Sequence, residues 1–169
     1  MSITVSTEGI HPTTEACIGL LHQLHQQRSV SNVLEIGCGS GVLSLLCAQI
    51  WDCRVLAADI SAQAVADTQK LMQQAGCDDR VNTLRSDGFS HETIHAHAPY
   101  DLIVANLVAG TLIRLVADIR SHLAPGGVVV LSGALSWLAG DVEAALHTQN
   151  FTVISKISHL SWNSYILQG

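Results

Sequence analysis

The sequence lacks most features that would place it in a specialised class of protein. Its 169 residues hold only 8 Lys and Arg against 14 Asp and Glu, a net charge of −6, so no basic surface is expected to attract nucleic acid. No CxxC pair is present for a zinc site, and the odd number of cysteines, five, favours reduced thiols in the cytoplasm. We also expect no signal peptide and no membrane-spanning run.

Aromatic residues are few, at 4% of the chain, but 48% of all residues are hydrophobic and only 13% are charged. This composition is typical of a compact α/β protein, and the length is sufficient for one core. No linker, repeat or low-complexity segment divides the chain. We therefore predict a single domain over residues 1–169.

Short apolar runs alternate with helical segments along the chain. Strands are predicted at 32–36, 54–58, 81–85, 100–105, 128–131, 151–155 and 163–167, and helices at 12–27, 42–50, 61–75, 110–122 and 139–149. Residues 88–99 are polar and are predicted to be irregular. This order predicts an α/β fold: a Rossmann-like, doubly wound sheet of seven strands, mostly parallel, with a C-terminal antiparallel hairpin and helices on both faces.

The most informative motif joins the first strand to the next helix, Glu35-Ile36-Gly37-Cys38-Gly39-Ser40-Gly41. Glycines at alternate positions let the backbone turn sharply and approach a ligand, and the following helix offers unpaired amides. The third glycine comes one position earlier than in the dinucleotide fingerprint G-x-G-x-x-G. The tighter spacing resembles the S-adenosylmethionine loop of class I methyltransferases, which predicts cofactor contacts at Gly37, Gly39 and Gly41.

Polar side chains follow three other predicted strands. Ligands of open parallel sheets bind outside the carboxyl ends of the strands, near the switch in strand order. Asp59 is expected either to accept both ribose hydroxyls or to lie in an ordinary turn and cap the helix at Ser61. Asp87 is expected either to accept from the adenine amine or to form a turn before Gly88. Asn106 is expected to bind the cofactor, to orient the acceptor nitrogen, or to cap a helix.

Methyl transfer from a sulfonium needs a neutral nucleophile in line with the departing sulfur. Desolvation and carbonyl acceptors can supply a free amine in that position, so little acid–base machinery is required. The sequence contains no evident Ser/His/Asp or Cys/His arrangement, and Cys38 is interpreted as a packing residue. We predict Asn106 as the catalytic residue, because its side-chain carbonyl oxygen can orient the acceptor nitrogen.

Further segments resemble one methyltransferase family. Gly9-Ile10-His11-Pro12-Thr13-Thr14 is similar to the G-x-H-P-T-T loop of the ribosomal protein L11 methyltransferases, and Asn106-Leu107-Val108-Ala109-Gly110 is similar to their N-I-L-A-G motif. Residues 123–127, residues 131–135 and Trp162 match as well. The chain departs from the family pattern at Thr7-Glu8, Thr111 and Ser161.

The resemblance implies S-adenosyl-L-methionine as the cofactor, bound by Thr14, Gly37, Asp59 and Asn106. It also implies N-methylation of a lysine or an amino terminus on a protein such as a ribosomal protein. The family places a substrate-recruiting domain before this segment, and we expect no room for that domain in the present chain.

Three alternatives remain open. The acceptor is a small molecule, or the chain is a non-catalytic cofactor-binding module, or it is a nicotinamide-dependent oxidoreductase. The glycine spacing and the terminal hairpin disfavour the oxidoreductase, and the intact motif residues disfavour the non-catalytic module. No metal site is predicted, because His91, His95 and His97 have no carboxylate or cysteine partner at a ligand spacing.

Overall fold

The computed structural model describes residues 10–169, in which strands and helices alternate. The strands are β1 (Asn32–Ile36), β2 (Arg54–Asp59), β3 (Val81–Arg85), β4 (Tyr100–Asn106), β5 (Leu123–Leu135), β6 (Thr152–His159) and β7 (Trp162–Gln168). The helices are α1 (Pro12–His25), α2 (Val42–Trp51), α3 (Ala62–Ala75), α4 (Glu92–His97), α5 (Ala109–His122) and α6 (Ala139–Thr148). No helix within residues 10–169 is long and apolar enough to cross a membrane.

All seven strands form one sheet in the order β3-β2-β1-β4-β5-β7-β6. The pairs from β3 to β5 are parallel, whereas β7 runs antiparallel to both β5 and β6. The predicted doubly wound sheet with a terminal hairpin is therefore confirmed. The strand order reverses between β1 and β4, which is the position where sheets of this kind bind ligands.

The central strands are buried on both faces. On β4, Leu102 and Val104 enter one core, whereas Ile103 and Ala105 enter the other. This division follows from the period of two along a strand. Helices α1, α2 and α3 cover the first face, and α4, α5 and α6 cover the second. Two separate cores therefore hold the sheet rigid beneath its carboxyl edge.

Three predicted helix boundaries are confirmed by their caps. His11 precedes Pro12 and accepts a hydrogen bond from the Thr13 amide, which starts α1. Ser61 accepts from the Ala64 amide at the start of α3, and Gly76 ends that helix in the left-handed region. Of the family motif before α1, Gly9 and the Thr7-Glu8 pair lie outside the described residues.

The prediction of an irregular segment over residues 88–99 is wrong in part. Helix α4 occupies Glu92–His97, and His91 caps it by accepting from the Thr93 amide at 3.2 Å. Ile94 is fully buried and anchors the helix on the sheet. One apolar residue among polar neighbours gives no helical periodicity, which is why the sequence did not indicate this helix.

Strand β5 is longer than predicted, beginning at Leu123 rather than at Val128. Leu123 pairs with Tyr100 and Val128 with Leu102, so the intervening Pro-Gly-Gly segment bulges out of register. Helix α5 nevertheless ends at His122, before Pro125, as predicted.

Candidate active site

The loop between β1 and α2 is left-handed at each of its glycines. The φ angles are +77° at Gly37, +52° at Gly39 and +80° at Gly41, values that residues with a β-carbon rarely adopt. A β-carbon on Gly39 would meet no heavy atom within 4 Å, whereas one on Gly41 would lie 2.7 Å from Cγ2 of Thr68. Gly39 therefore leaves the backbone open to a ligand, and Gly41 allows close packing on α3.

Asp59 connects the glycine loop to the start of α3. Its Oδ2 accepts from the Gly39 amide at 3.0 Å, and its Oδ1 accepts from the Ser61 amide at 2.8 Å. The cap of α3 is the Ser61 hydroxyl, so the capping alternative for Asp59 is wrong. Each carboxylate oxygen carries two lone pairs, and both oxygens therefore retain one for a sugar hydroxyl.

Asn106 ends β4 and contacts α1. Its Nδ2 donates to Thr14 Oγ1 at 3.1 Å, across 92 residues of sequence. Its side-chain oxygen makes no hydrogen bond within residues 10–169. The N-cap of α5 is Val108, so the helix-cap alternative for Asn106 is wrong. The structure thus brings Thr14 and Asn106 together and leaves the Asn106 amide oxygen without a hydrogen-bond donor in the described part of the chain.

An aromatic contact fixes the start of α1 against the hairpin. The rings of His11 and Trp162 meet edge to face with their centroids 5.2 Å apart. Trp162 is half-buried and pairs with Leu135 at the carboxyl end of β5. The helix start that carries Thr14 is therefore held at the same edge of the sheet as Asn106.

A cavity of about 220 Å³ opens beside the glycine loop. Gly37, Asp59 and Asp87 are part of its lining, whereas the Thr14–Asn106 pair is not. The site accordingly has two parts, a cavity at the tips of β1, β2 and β3 and a free acceptor at the tip of β4. Apolar side chains line much of the cavity: Ile36, Ile60, Leu107 and Leu115.

Asp87 lies at the cavity, and its side chain takes no part in the local turn. The hydroxyl that stabilises this turn belongs to Ser86, which donates to the Gly88 carbonyl at 2.8 Å. The Asp87 carboxylate instead pairs with Arg114 of α5, with 3.3 Å between Oδ1 and Nη2. The Asp87 backbone carbonyl accepts from the Ser90 amide at 3.2 Å, so the alternative prediction that Asp87 forms a turn before Gly88 is confirmed.

A buried acid lies directly beneath the glycine loop. Glu35 of β1 is only 2% exposed, and burial raises its pKa to about 8 against the two hydrogen bonds from Ser44, which lower it. The Asp59 charge raises this pKa further. Glu35 hydrogen-bonds the Ser44 hydroxyl of α2, so it joins the strand to the helix on either side of the loop.

The five cysteines are all buried free thiols. Burial raises the pKa of Cys17 and Cys38 to about 12. A thiol with so high a pKa is a poor nucleophile at neutral pH. Cys38 therefore packs within the glycine loop, as predicted, with its Sγ 3.5 Å from Thr68 Oγ1.

The three histidines of the α4 region have three different partners. His91 caps the helix, His97 contacts the Thr93 carbonyl at 2.8 Å, and His95 Nδ1 lies 2.7 Å from Nε2 of His122. Within residues 10–169 no group of three or more His, Cys, Asp or Glu side chains is placed to hold a metal ion.

A second hollow, of about 350 Å³, lies at the opposite edge of the sheet. Its carboxylate, Asp101, already accepts from the Ser31 amide, the Ser31 hydroxyl and the Asn32 amide. Its Arg28 donates to the Gly126 carbonyl at 2.9 Å. These bonds occupy Oδ2 of Asp101 and one nitrogen of Arg28, and the hollow lies at the amino edge of the sheet. Open parallel sheets bind ligands at the carboxyl edge, which favours the smaller cavity as the ligand site.

Sequence reasoning missed Arg114 and Thr68, both of which contact predicted site residues. Arg114 pairs with Asp87 across 27 residues, and Thr68 Oγ1 donates to the Gly39 carbonyl at 3.1 Å across 29. Neither spacing corresponds to a local motif, so only the folded chain brings these side chains to the site.

Comparison with known proteins gives a family match over nearly the whole chain. The family model described as ribosomal protein L11 methyltransferase (PrmA) matches residues 7–169. A ribosomal protein L11 methyltransferase from Brucella suis is 36% identical over 154 residues, 91% of this chain and 54% of the relative. One from Rhizobium johnstonii is 34% identical, over 91% of this chain and 53% of the relative. The chain spans about half the length of these curated relatives.

Solved structures agree with the family match. The crystal structure of a ribosomal protein L11 methylase from Lactobacillus delbrueckii subsp. bulgaricus superposes with a TM-score of 0.84 at 25% identity, covering 94% of this chain and 79% of that one. The N-methyltransferase NodS from Bradyrhizobium japonicum, in complex with S-adenosylhomocysteine, has the same fold, with a TM-score of 0.76 at 20% identity over 95% of this chain and 89% of that one. Because the family model matches from residue 7 to the last residue, this chain belongs to the ribosomal protein L11 methyltransferase family.

Proposed function

We propose that this chain is an S-adenosyl-L-methionine-dependent methyltransferase that methylates amino groups of a protein. The observation that carries the proposal is the Asn106 side chain, which Thr14 holds at the tip of β4 and whose oxygen has no partner among residues 10–169. Family membership supports the reaction type.

The residues at the carboxyl edge fit the cofactor. Open space over Gly39 suits a ligand pressed against the backbone, and Asp59 has lone pairs left for both ribose hydroxyls. Asp87 would accept from the adenine amine at the far end of the cavity. Thr14, in the first turn of α1, would contact the methionine part through its hydroxyl.

S-adenosyl-L-methionine supplies an electrophilic methyl group on a sulfonium. The contribution of Asn106 is positional, since its oxygen accepts a hydrogen from the incoming amine and fixes the direction of the nitrogen lone pair. A lysine acceptor has a pKa of about 10.4 in water and must lose a proton before it reacts. A site that binds the neutral amine through a carbonyl oxygen and excludes water promotes this loss.

A ribosomal protein is the acceptor class that the relatives favour, since those at 34–36% identity are named for it. The reduced, buried thiols suit work in the cytoplasm, where ribosomal proteins are made. The net charge of −6 favours a basic protein partner over nucleic acid.

The proposal is tested with radiolabelled S-adenosylmethionine. The chain is incubated with purified ribosomal protein L11, with total ribosomal protein and with the small-molecule fraction of a lysate. We expect label on a protein lysine or amino terminus, located by mass spectrometry, and labelling roughly 100-fold slower with Asn106→Ala. Label found only in small molecules would show that the acceptor is a small molecule and not a protein. Absence of any transfer despite tight S-adenosylhomocysteine binding would favour a non-catalytic module.

A further inference from the structure

Arg114 reaches from α5 to the loop after β3 at the mouth of the cavity. Its Nη2 lies 3.3 Å from Asp87 Oδ1, and both side chains are more than half exposed. Exposed ion pairs of this kind add about 0–1 kcal/mol to folding stability. Since both residues line the cavity, we expect the pair to affect ligand binding rather than folding stability.

The backbone around Asp87 is fixed independently of Arg114. Gly88 is left-handed, with φ +55°, and a β-carbon there would lie 2.7 Å from Cδ2 of Leu115. The loop therefore packs directly on α5, and the Ser86 hydroxyl closes its turn. The Asp87 side chain, by contrast, has Arg114 as its hydrogen-bond partner within residues 10–169.

The ion pair engages one oxygen of the carboxylate. The second oxygen of Asp87 makes no hydrogen bond within residues 10–169 and remains available to a ligand in the cavity. A carboxylate accepts hydrogen bonds but donates none. This free oxygen is therefore complementary to an amino group and unfavourable for a carbonyl oxygen.

We propose that Arg114 is a positioning residue for base recognition. It holds Asp87 at the cavity so that the free oxygen selects a purine with a 6-amino group over one with a 6-oxo group. Without Arg114 the exposed carboxylate is free to turn into solvent. The inference rests on the proposed function, because the purine concerned is the adenine of S-adenosylmethionine.

The test compares S-adenosylhomocysteine with S-inosylhomocysteine, which differ at this position, by calorimetry. Wild type is expected to prefer the adenosyl compound by roughly tenfold or more, since a mismatched polar group costs affinity. Arg114→Gln should lower affinity for the adenosyl compound roughly three- to tenfold and leave the inosyl compound unchanged. Arg114→Lys should recover part of the preference. Arg54→Gln, an exposed cation at the opposite edge, should match wild type.

A double-mutant cycle shows whether Arg114 acts through Asp87. In an Asp87→Asn background, Arg114→Gln should change neither affinity, because the carboxylate that it positions is gone. An effect that persists there, or equal weakening of both ligands, overturns the inference, as does a wild type that binds both ligands equally. If wild type binds neither ligand, the proposed function fails as well.

Discussion

Asp59 hydrogen-bonds protein amides in addition to its proposed contact with the ribose. Its two oxygens already accept from the amides of Gly39 and Ser61, so the carboxylate joins the glycine loop to β2 and α3 before any ligand arrives. A carboxylate that holds amides in this way is preorganised, and ligand binding then costs little further ordering. The same side chain is therefore expected to contribute to both loop geometry and affinity.

Replacing Asp59 by Asn should weaken S-adenosylhomocysteine binding roughly 10- to 100-fold, because a hydrogen bond to a charged group contributes about 1.5–3 kcal/mol. Calorimetry gives the affinity, and thermal unfolding shows whether the loop remains folded. The control is Asp67→Asn on α3, an exposed acid whose Oδ1 accepts only from Gln63 within the described residues. Wild-type affinity in Asp59→Asn would remove this side chain from the site.

Asn106 should affect turnover more than cofactor affinity. For Asn106→Ala we expect kcat to fall roughly 100-fold, the scale of a misplaced reacting group, with a much smaller change in the Kd of S-adenosylhomocysteine. Thr14→Val, which removes the hydroxyl that anchors the Asn106 amide, should reproduce part of this loss, and Thr14→Ser should not. Equal losses of kcat and affinity in Asn106→Ala would make it a binding residue only.

At the scale of elements, the strands were predictable because burial on both faces gives continuous apolar runs, as in residues 102–105 of β4. Helices α1 and α3 carry local start signals at Pro12 and Ser61. Helix α4 has no such signal, and its position depends on the packing of Ile94 in the second core. Likewise, the glycine loop and Asp59 follow from spacing, whereas Arg114 reaches Asp87 only through the packing of α5 on the sheet.

The contact between β1 and α2 should depend on pH, because it includes the hydrogen bond between Glu35 and Ser44. Its pKa is raised from 4.5 to about 8 in the folded state, so the folded protein binds a proton more tightly than the unfolded chain. The stability that this protonated acid contributes is full below about pH 4.5 and is lost as the pH rises through about 8.

Glu35→Gln, which mimics the protonated acid, should therefore lose less thermal stability than wild type when the pH is raised across this window. Glu143→Gln is the control, because Lys156 and Tyr165 lower the pKa of Glu143, whose stabilising contribution is lost as the pH falls. Identical pH profiles for Glu35→Gln and wild type, measured by circular dichroism, would contradict the assignment.

A glycine of β5 sets the position of the segment after β4. Gly133 has φ +97°, and a β-carbon there would lie 2.7 Å from the backbone carbonyl carbon of Leu107. Gly133→Ala should destabilise the protein by about 1–3 kcal/mol, as strained backbone positions do, and should lower turnover by displacing Asn106. Gly140→Ala in α6, where a β-carbon meets nothing within 4 Å, should be neutral or stabilising by about 0.4–1 kcal/mol. Denaturant unfolding of both variants measures the difference, and equal stabilities would contradict this account of Gly133.

At the scale of the whole molecule, the two cores and the strand order decide where chemistry can occur. The central strands are buried on both faces, so the strand tips are where polar side chains from distant parts of the chain meet. The side chains or backbone of five residues converge at the carboxyl edge: Thr14, Gly39, Asp59, Asp87 and Asn106. At the amino edge, Asp101 already accepts from Ser31 and Asn32. We therefore expect the ligand to bind at the carboxyl edge and not at the amino edge.

Amide chemical-shift mapping with S-adenosylhomocysteine tests this central claim most directly, since a chain of 18.0 kDa is well suited to it. We expect saturable amide shift changes centred on residues 37–41, 59–61 and 86–88, with smaller changes at residues 106–108. Shifts centred instead on Arg28, Ser31 and Gly126 at the amino edge, or no saturable shifts at all, would contradict it.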